Sequence, residues 1–128
     1  QKGIHDSSIT ILEYPENIKS HIFVSWLHPF KEHRLVVIGS EGMLSFEDSA
    51  EGKPLRYYAK KYTLGKNIPE KVDGPVEDIK YDFSMALTEE LKYFINHLDG
   101  TQLDKCNGKH AIDVTKILVE ASKQLLKD

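Results

Sequence analysis

The chain predicts an α+β fold: a mostly antiparallel (mixed) open β-sheet with helices packed on one face. Three observations carry this. Short alternating or apolar runs bounded by Gly, Pro and Asn occupy the chain up to about Phe83. Apolar residues at helical spacing occupy the remainder. Strands first and helices last is the order of a segregated α+β domain, not of alternating βαβ units.

Ser7 to Tyr14 reads as the first strand, with Ile9 and Ile11 on one face and Leu12 and Tyr14 on the other. Pro15-Glu16-Asn17 is a turn, because Pro presets one dihedral and Asn tolerates the left-handed region. Ile18 to His28 reads as a long strand. Ile18, Ile22, Val24 and Trp26 share one face, and Lys19, His21, Phe23, Ser25 and Leu27 the other. Pro29, which has no N–H to donate, is expected to stop that ladder. Arg34 to Ile38 and Met43 to Glu47 form the next two strands, joined by the Gly39-Ser40-Glu41-Gly42 turn. Asp48 to Pro54 is a polar loop, and Leu55 to Tyr62 a fifth strand. Thr63 to Asp78 holds Gly65, Pro69, Gly74 and Pro75 and reads as a connection with a short edge strand; Ile79 to Phe83 reads as extended.

Leu87, Leu91, Phe94, Ile95 and Leu98 line one side of a first helix, with Gly100 as its C-terminal cap. A second helix is expected from about Lys109 to Lys127, starting near Asn107 or Gly108. Its stripe is Val114, Ile117, Leu118, Ala121 and Leu125. The whole of 1–128 reads as a single domain. The central strands are apolar on both faces, whereas two helices cover only one. A second copy of the chain is the economical cover for the other, so a homo-oligomer through the sheet face is expected.

Composition narrows the function classes. The 128 residues are 40% hydrophobic and 29% charged, with a net charge of -3. That balance gives no argument for nucleic acid or an anionic membrane as partner. No apolar run approaches the length of a bilayer span, and no basic-then-apolar leader opens the chain. Cys106 is the one cysteine, so an intrachain disulfide is impossible and a cytoplasmic setting is expected. The chain begins with Gln1 rather than Met, so an upstream portion is expected.

Most catalytic motifs are absent. Gly39-Ser40-Glu41-Gly42 is followed by a strand and lacks Lys-Ser/Thr, so it is a hairpin turn and not a P-loop. There is no G-x-G-x-x-G and no G-x-S-x-G. The six histidines include no H-E-x-x-H, and metal ligation is not expected. Glu47-Asp48 and Glu89-Glu90 read as solvated carboxylates, and Cys106 beside Lys105 has no general base in view. Four residues remain as candidates for touching a substrate. Trp26 is either a core or interface ring or a platform for a sugar. His28, next to Pro29, either faces a crevice or sits on a rim. Lys31 and Arg34 either bind a phosphate or carboxylate or decorate a solvated turn.

The block from Ser25-Trp26 through Pro29, Lys31 and Arg34 to Gly39-Ser40, Gly42 and Glu47-Asp48 resembles a segment of the glucose–fructose oxidoreductase / inositol dehydrogenase family (Gfo/Idh/MocA). His5-Asp6-Ser7-Ser8-Ile9, Leu87 to Ile95, and Asn107-Gly108 with Val114 to Ser122 resemble further segments of the same C-terminal domain, in the same order. The resemblance implies the substrate-binding and oligomerisation domain of an enzyme that moves a hydride to or from a sugar or nucleotide-sugar carbon. NAD or NADP would serve the full-length parent, and no cofactor is expected for this fragment. The family's N-terminal Rossmann domain, its catalytic lysine and its Asp/His pair have no counterpart here, so no catalytic residue is carried over. The alternative is a non-enzymatic, sheet-mediated binding or scaffold domain.

Overall fold

The structure, a computed structural model, describes residues 5–65 and 68–125. It is an α+β fold built from antiparallel open sheets and two helices among those residues. The chain divides into two compact units, one from 1–28 and 84–128 and one from 29–83.

In the first unit, β1 (Ser7–Glu13) pairs antiparallel with β2 (Lys19–Ser25), in register from Ser7↔Ser25 to Glu13↔Lys19. Directly opposed side chains share a face, so Ile9 meets Phe23 and Ile11 meets His21 on one side. The hairpin closes through Tyr14 N–H to Ile18 O at 2.9 Å and an ion pair from Lys19 Nζ to Glu13 Oε1 at 2.9 Å. The connection between them, 14–18, is longer than expected, and Glu16 (φ 61°) as well as Asn17 (φ 60°) is left-handed in it.

β2 ends at Ser25 and not at Pro29. The Ser25 hydroxyl donates to Asp6 O at 3.3 Å and accepts from Leu27 N–H at 3.1 Å, so the side chain turns the backbone out of the ladder. Trp26 makes the last backbone bond, to Asp6 O at 2.9 Å.

The same unit carries α1 (Ala86–Ile95) and α2 (Gly108–Leu125). Past Ile95 the chain makes one more turn before Gly100 (φ 89°), which donates to His97 O at 3.3 Å. Gly100 therefore closes that turn, and Leu98 lies beyond the helix proper. Asn107 caps α2: its Oδ1 accepts the N–H of His110 at 3.0 Å. The expected helix end at Lys127 lies outside the described residues.

In the second unit, β3 (Arg34–Ile38), β4 (Met43–Glu47), β5 (Leu55–Tyr58) and β8 (Val76–Asp78) form an antiparallel sheet in the order β3-β4-β5-β8. β3 and β4 have the expected bounds. The expected fifth strand is shorter, because it gives way after Tyr58 to a separate hairpin of β6 (Lys61–Leu64) and β7 (Pro69–Val72). The cause is local. Gly74 lies against the carbonyl of Ala59, and Ala59 N–H bonds Pro75 O at 3.0 Å, which brings β8 back beside β5. Ile79 donates to Leu55 O at 2.8 Å, and the rest of the stretch expected to be extended joins no ladder. The strands thus lie in three sheets rather than one.

Apolar burial is sparse. Among the described residues Ser45, 7% exposed, is the one buried polar residue, and no hydrophobic residue is buried. The chain exposes 11807 Å². Even two separate globules of half this mass would expose only about 8,000 Å² in total. Each unit therefore leaves apolar surface that its own elements do not cover. Among the described residues no helix is long and apolar enough to cross a membrane.

Candidate functional site

The four substrate candidates fall in both units. Trp26 occupies the bend after β2 and is 84% exposed, so it is no core residue of its unit. His28, also exposed, ends that part of the first unit. Lys31 and Arg34 belong to the second unit, both exposed. Arg34 opens β3 opposite Glu47, and its guanidinium lies 3.2 Å from Glu32 Oε1. Part of its charge is thus already answered within the chain. Lys31 forms no ion pair among the described residues, which makes it the better placed of the two to meet an external anion.

The sequence reading missed a polar cluster in the second unit. Asp48 follows β4. Its carboxylate lies 2.5 Å from Lys53 Nζ and 3.8 Å from His33 Nδ1. His33 N–H donates to Ser49 Oγ at 2.9 Å, and the Tyr81 hydroxyl donates to Lys53 O at 2.7 Å. The Lys53 ammonium also sits 5.4 Å from the centroid of the Phe83 ring. The hydrogen bond from Lys53 holds the Asp48 carboxyl below its usual range, with a lesser contribution from His33. Such a carboxylate stays ionised and paired, which suits a loop clasp better than a proton-transfer group. Lys53 has φ 45°, a left-handed backbone that no Gly or Asn at this position announces.

The other perturbed groups are exposed ion pairs or turns. Asp78 raises Arg56, Glu41 raises Lys61 and Lys71 lowers Asp73, in each case first by a side-chain hydrogen bond. Thr101 lowers Asp99 in the turn after α1. No group of His, Cys, Asp and Glu able to hold a metal ion occurs among the described residues. The first unit has a groove of about 380 Å³ between β1 and α2, lined by Ile11, Leu12, Ile117, Ala121 and Leu125 with Glu120 at its side. Its walls are mainly apolar, so they offer area rather than directed hydrogen bonds.

No family model, curated protein or solved structure matches the chain.

Proposed function

We propose that this chain is the C-terminal, substrate-side and self-associating domain of a cytoplasmic NAD(P)-dependent oxidoreductase of the Gfo/Idh/MocA kind, acting on a sugar or nucleotide sugar. The observation that supports it is the order of the motif-bearing segments. Ser25-Trp26, the β3–turn–β4 block and the segments 87–95 and 114–122 follow one another as in that family's C-terminal domain. The latter two segments form helices here. In the parent, Trp26, His28, Lys31 and Arg34 would position substrate and complement its charge, with no part in proton transfer. NAD or NADP would bind to an upstream nucleotide fold, and this fragment alone would bind neither.

The test has two arms. This chain mixed with NADH is expected to show no fluorescence enhancement and no thermal shift; a clear micromolar response would overturn the fragment reading. Changing Lys31 and Arg34 to Ala in the full-length parent is expected to raise KM more than it lowers kcat. An unchanged KM removes both from the site.

The exposed apolar surface of both units equally favours a second reading, a non-enzymatic domain that binds or scaffolds through its sheets. The reading frame upstream of Gln1 decides between them. A βαβ unit with G-x-G-x-x-G there supports the enzyme, and its absence supports the scaffold.

A further inference from the structure

Of the four asparagines, Asn107 alone is followed by glycine; the others precede Ile18, Ile68 and His97. An asparagine amide is lost when the backbone nitrogen of the next residue attacks it, and a side chain on that residue obstructs the approach. Gly108 has no such side chain, and a Cβ there would meet nothing within 4 Å among the described residues. It also opens α2, so its N–H has no partner within the helix. What opposes the attack is the bonding of the Asn107 side chain. Its Oδ1 accepts the N–H of His110 at 3.0 Å, and its Nδ2 donates to Leu103 O at 3.0 Å. The peptide group that supplies Leu103 O is itself held from its other end. Its N–H, that of Asp104, donates to the Tyr93 hydroxyl at 3.0 Å. Tyr93, the 103–104 peptide and the Asn107 amide thus form one chain of hydrogen bonds.

We propose that Asn107-Gly108 is a latent deamidation site that the fold holds shut, with Tyr93 as a positioning residue that acts through the 103–104 peptide. When the first turn of α2 opens, the side chain leaves its cap. The Gly108 nitrogen gives its proton to solvent base and attacks Asn107 Cγ. The new C–N bond closes a succinimide ring, and the Cγ–Nδ2 bond breaks as ammonia departs. Water then adds to one of the two ring carbonyls and cleaves its bond to nitrogen. Cleavage at Cγ gives aspartate, which keeps an acceptor for His110 N–H and puts negative charge at the helix start. Cleavage at the main-chain carbonyl gives isoaspartate, which routes the backbone through the side-chain methylene and removes the cap. One product therefore leaves the start of α2 standing, and the other undoes it.

Peptide mapping of the full chain by mass spectrometry, after incubation at mildly alkaline pH with and without urea, tests this. The folded chain is expected to convert Asn107 at least about ten-fold more slowly than the chain in urea. Tyr93→Phe is expected to speed conversion in the folded chain about five-fold and to leave the rate in urea unchanged. Gly52→Ala, which strains the backbone of the second unit, is expected to leave both rates unchanged and so separates the local tie from a general loosening. Gly108→Ala is expected to slow conversion even in urea. Equal rates for the unaltered chain with and without urea overturn the proposal, and need no variant to fold. A folded-state rate that Tyr93→Phe leaves unmoved, or that Gly52→Ala raises as much, removes Tyr93 from the role given to it.

Discussion

The Tyr93 hydroxyl, on the last turns of α1, accepts the backbone N–H of Asp104 at 3.0 Å and so ties the helix to the connection that leads into α2. The neighbouring N–H of Lys105 reaches the same oxygen at 3.2 Å. A single side-chain atom thus does for this connection what a backbone turn would do, just before the left-handed Cys106 (φ 54°) and the Asn107 cap. Tyr93→Phe keeps the ring, which lies 4.2 Å from that of His97, and removes the acceptor. It is expected to cost about 1 kcal/mol. Urea denaturation would measure the loss, and faster amide exchange at Asp104 and Lys105 would locate it. Unchanged exchange at those two amides would refute the tie.

Asn107 gives a second measurable helix contribution. Asn107→Ala leaves the N–H of His110 without its acceptor and is expected to destabilise by about 1 kcal/mol, whereas Asn107→Asp keeps the cap and is expected to be near neutral. Circular dichroism at 222 nm with thermal melts would separate the two variants.

Gly42 is fixed by close approach rather than by dihedral. A Cβ there would lie 2.6 Å from Tyr58 O and 2.7 Å from the Tyr57 ring, on the strand next door. Gly42→Ala must push β4 from β5 and is expected to cost about 1–3 kcal/mol. Gly52 is the contrast: nothing lies within 4 Å, but its φ is 72°. Gly52→Ala is therefore expected to cost about 1 kcal/mol through backbone strain alone. Equal losses at the two sites would contradict the packing argument.

Acid should loosen the second unit through Asp48. Its folded carboxyl is held below the ordinary value by the hydrogen bond from Lys53, so the unfolded chain binds its proton first as pH falls. The stabilisation is complete above the unfolded pKa of about 4 and is lost as pH drops through the lower, folded value. Asp73, lowered by Lys71, acts in the same window. Stability measured from neutral pH to about pH 2 is expected to fall below pH 4, and Asp48→Asn to flatten part of that fall. An identical pH profile for the variant would show that the ion pair contributes nothing.

What the sequence revealed and what it hid follow the range of the interactions involved. β3, β4 and the start of α2 were legible because runs such as Leu35 to Ile38, and a cap such as Asn107, act on their immediate neighbours. The end of β2 was misplaced because the Ser25 hydroxyl competes with the ladder before Pro29 is reached, and a serine in a strand pattern does not advertise this. The break after Tyr58 depends on Gly74 meeting Ala59, a contact between residues far apart in the chain. Of the site candidates, Trp26 sat in an apolar alternation that suggested cover, yet it lies past the strand end and in the open. The Asp48 clasp escaped notice because His33, Asp48 and Lys53 come from two separate loops, and Lys53 adopts a left-handed backbone without a residue type that favours it.

The β8 edge of the four-stranded sheet has a property that matters for growth. β8 ends in Glu77 and Asp78, with Asp78 engaged to Arg56 at 3.0 Å, and it is only three residues long. Two such edges brought together would set like charges opposite each other and offer few rungs. Growth of this sheet by pairing of β8 with its own copy is therefore disfavoured.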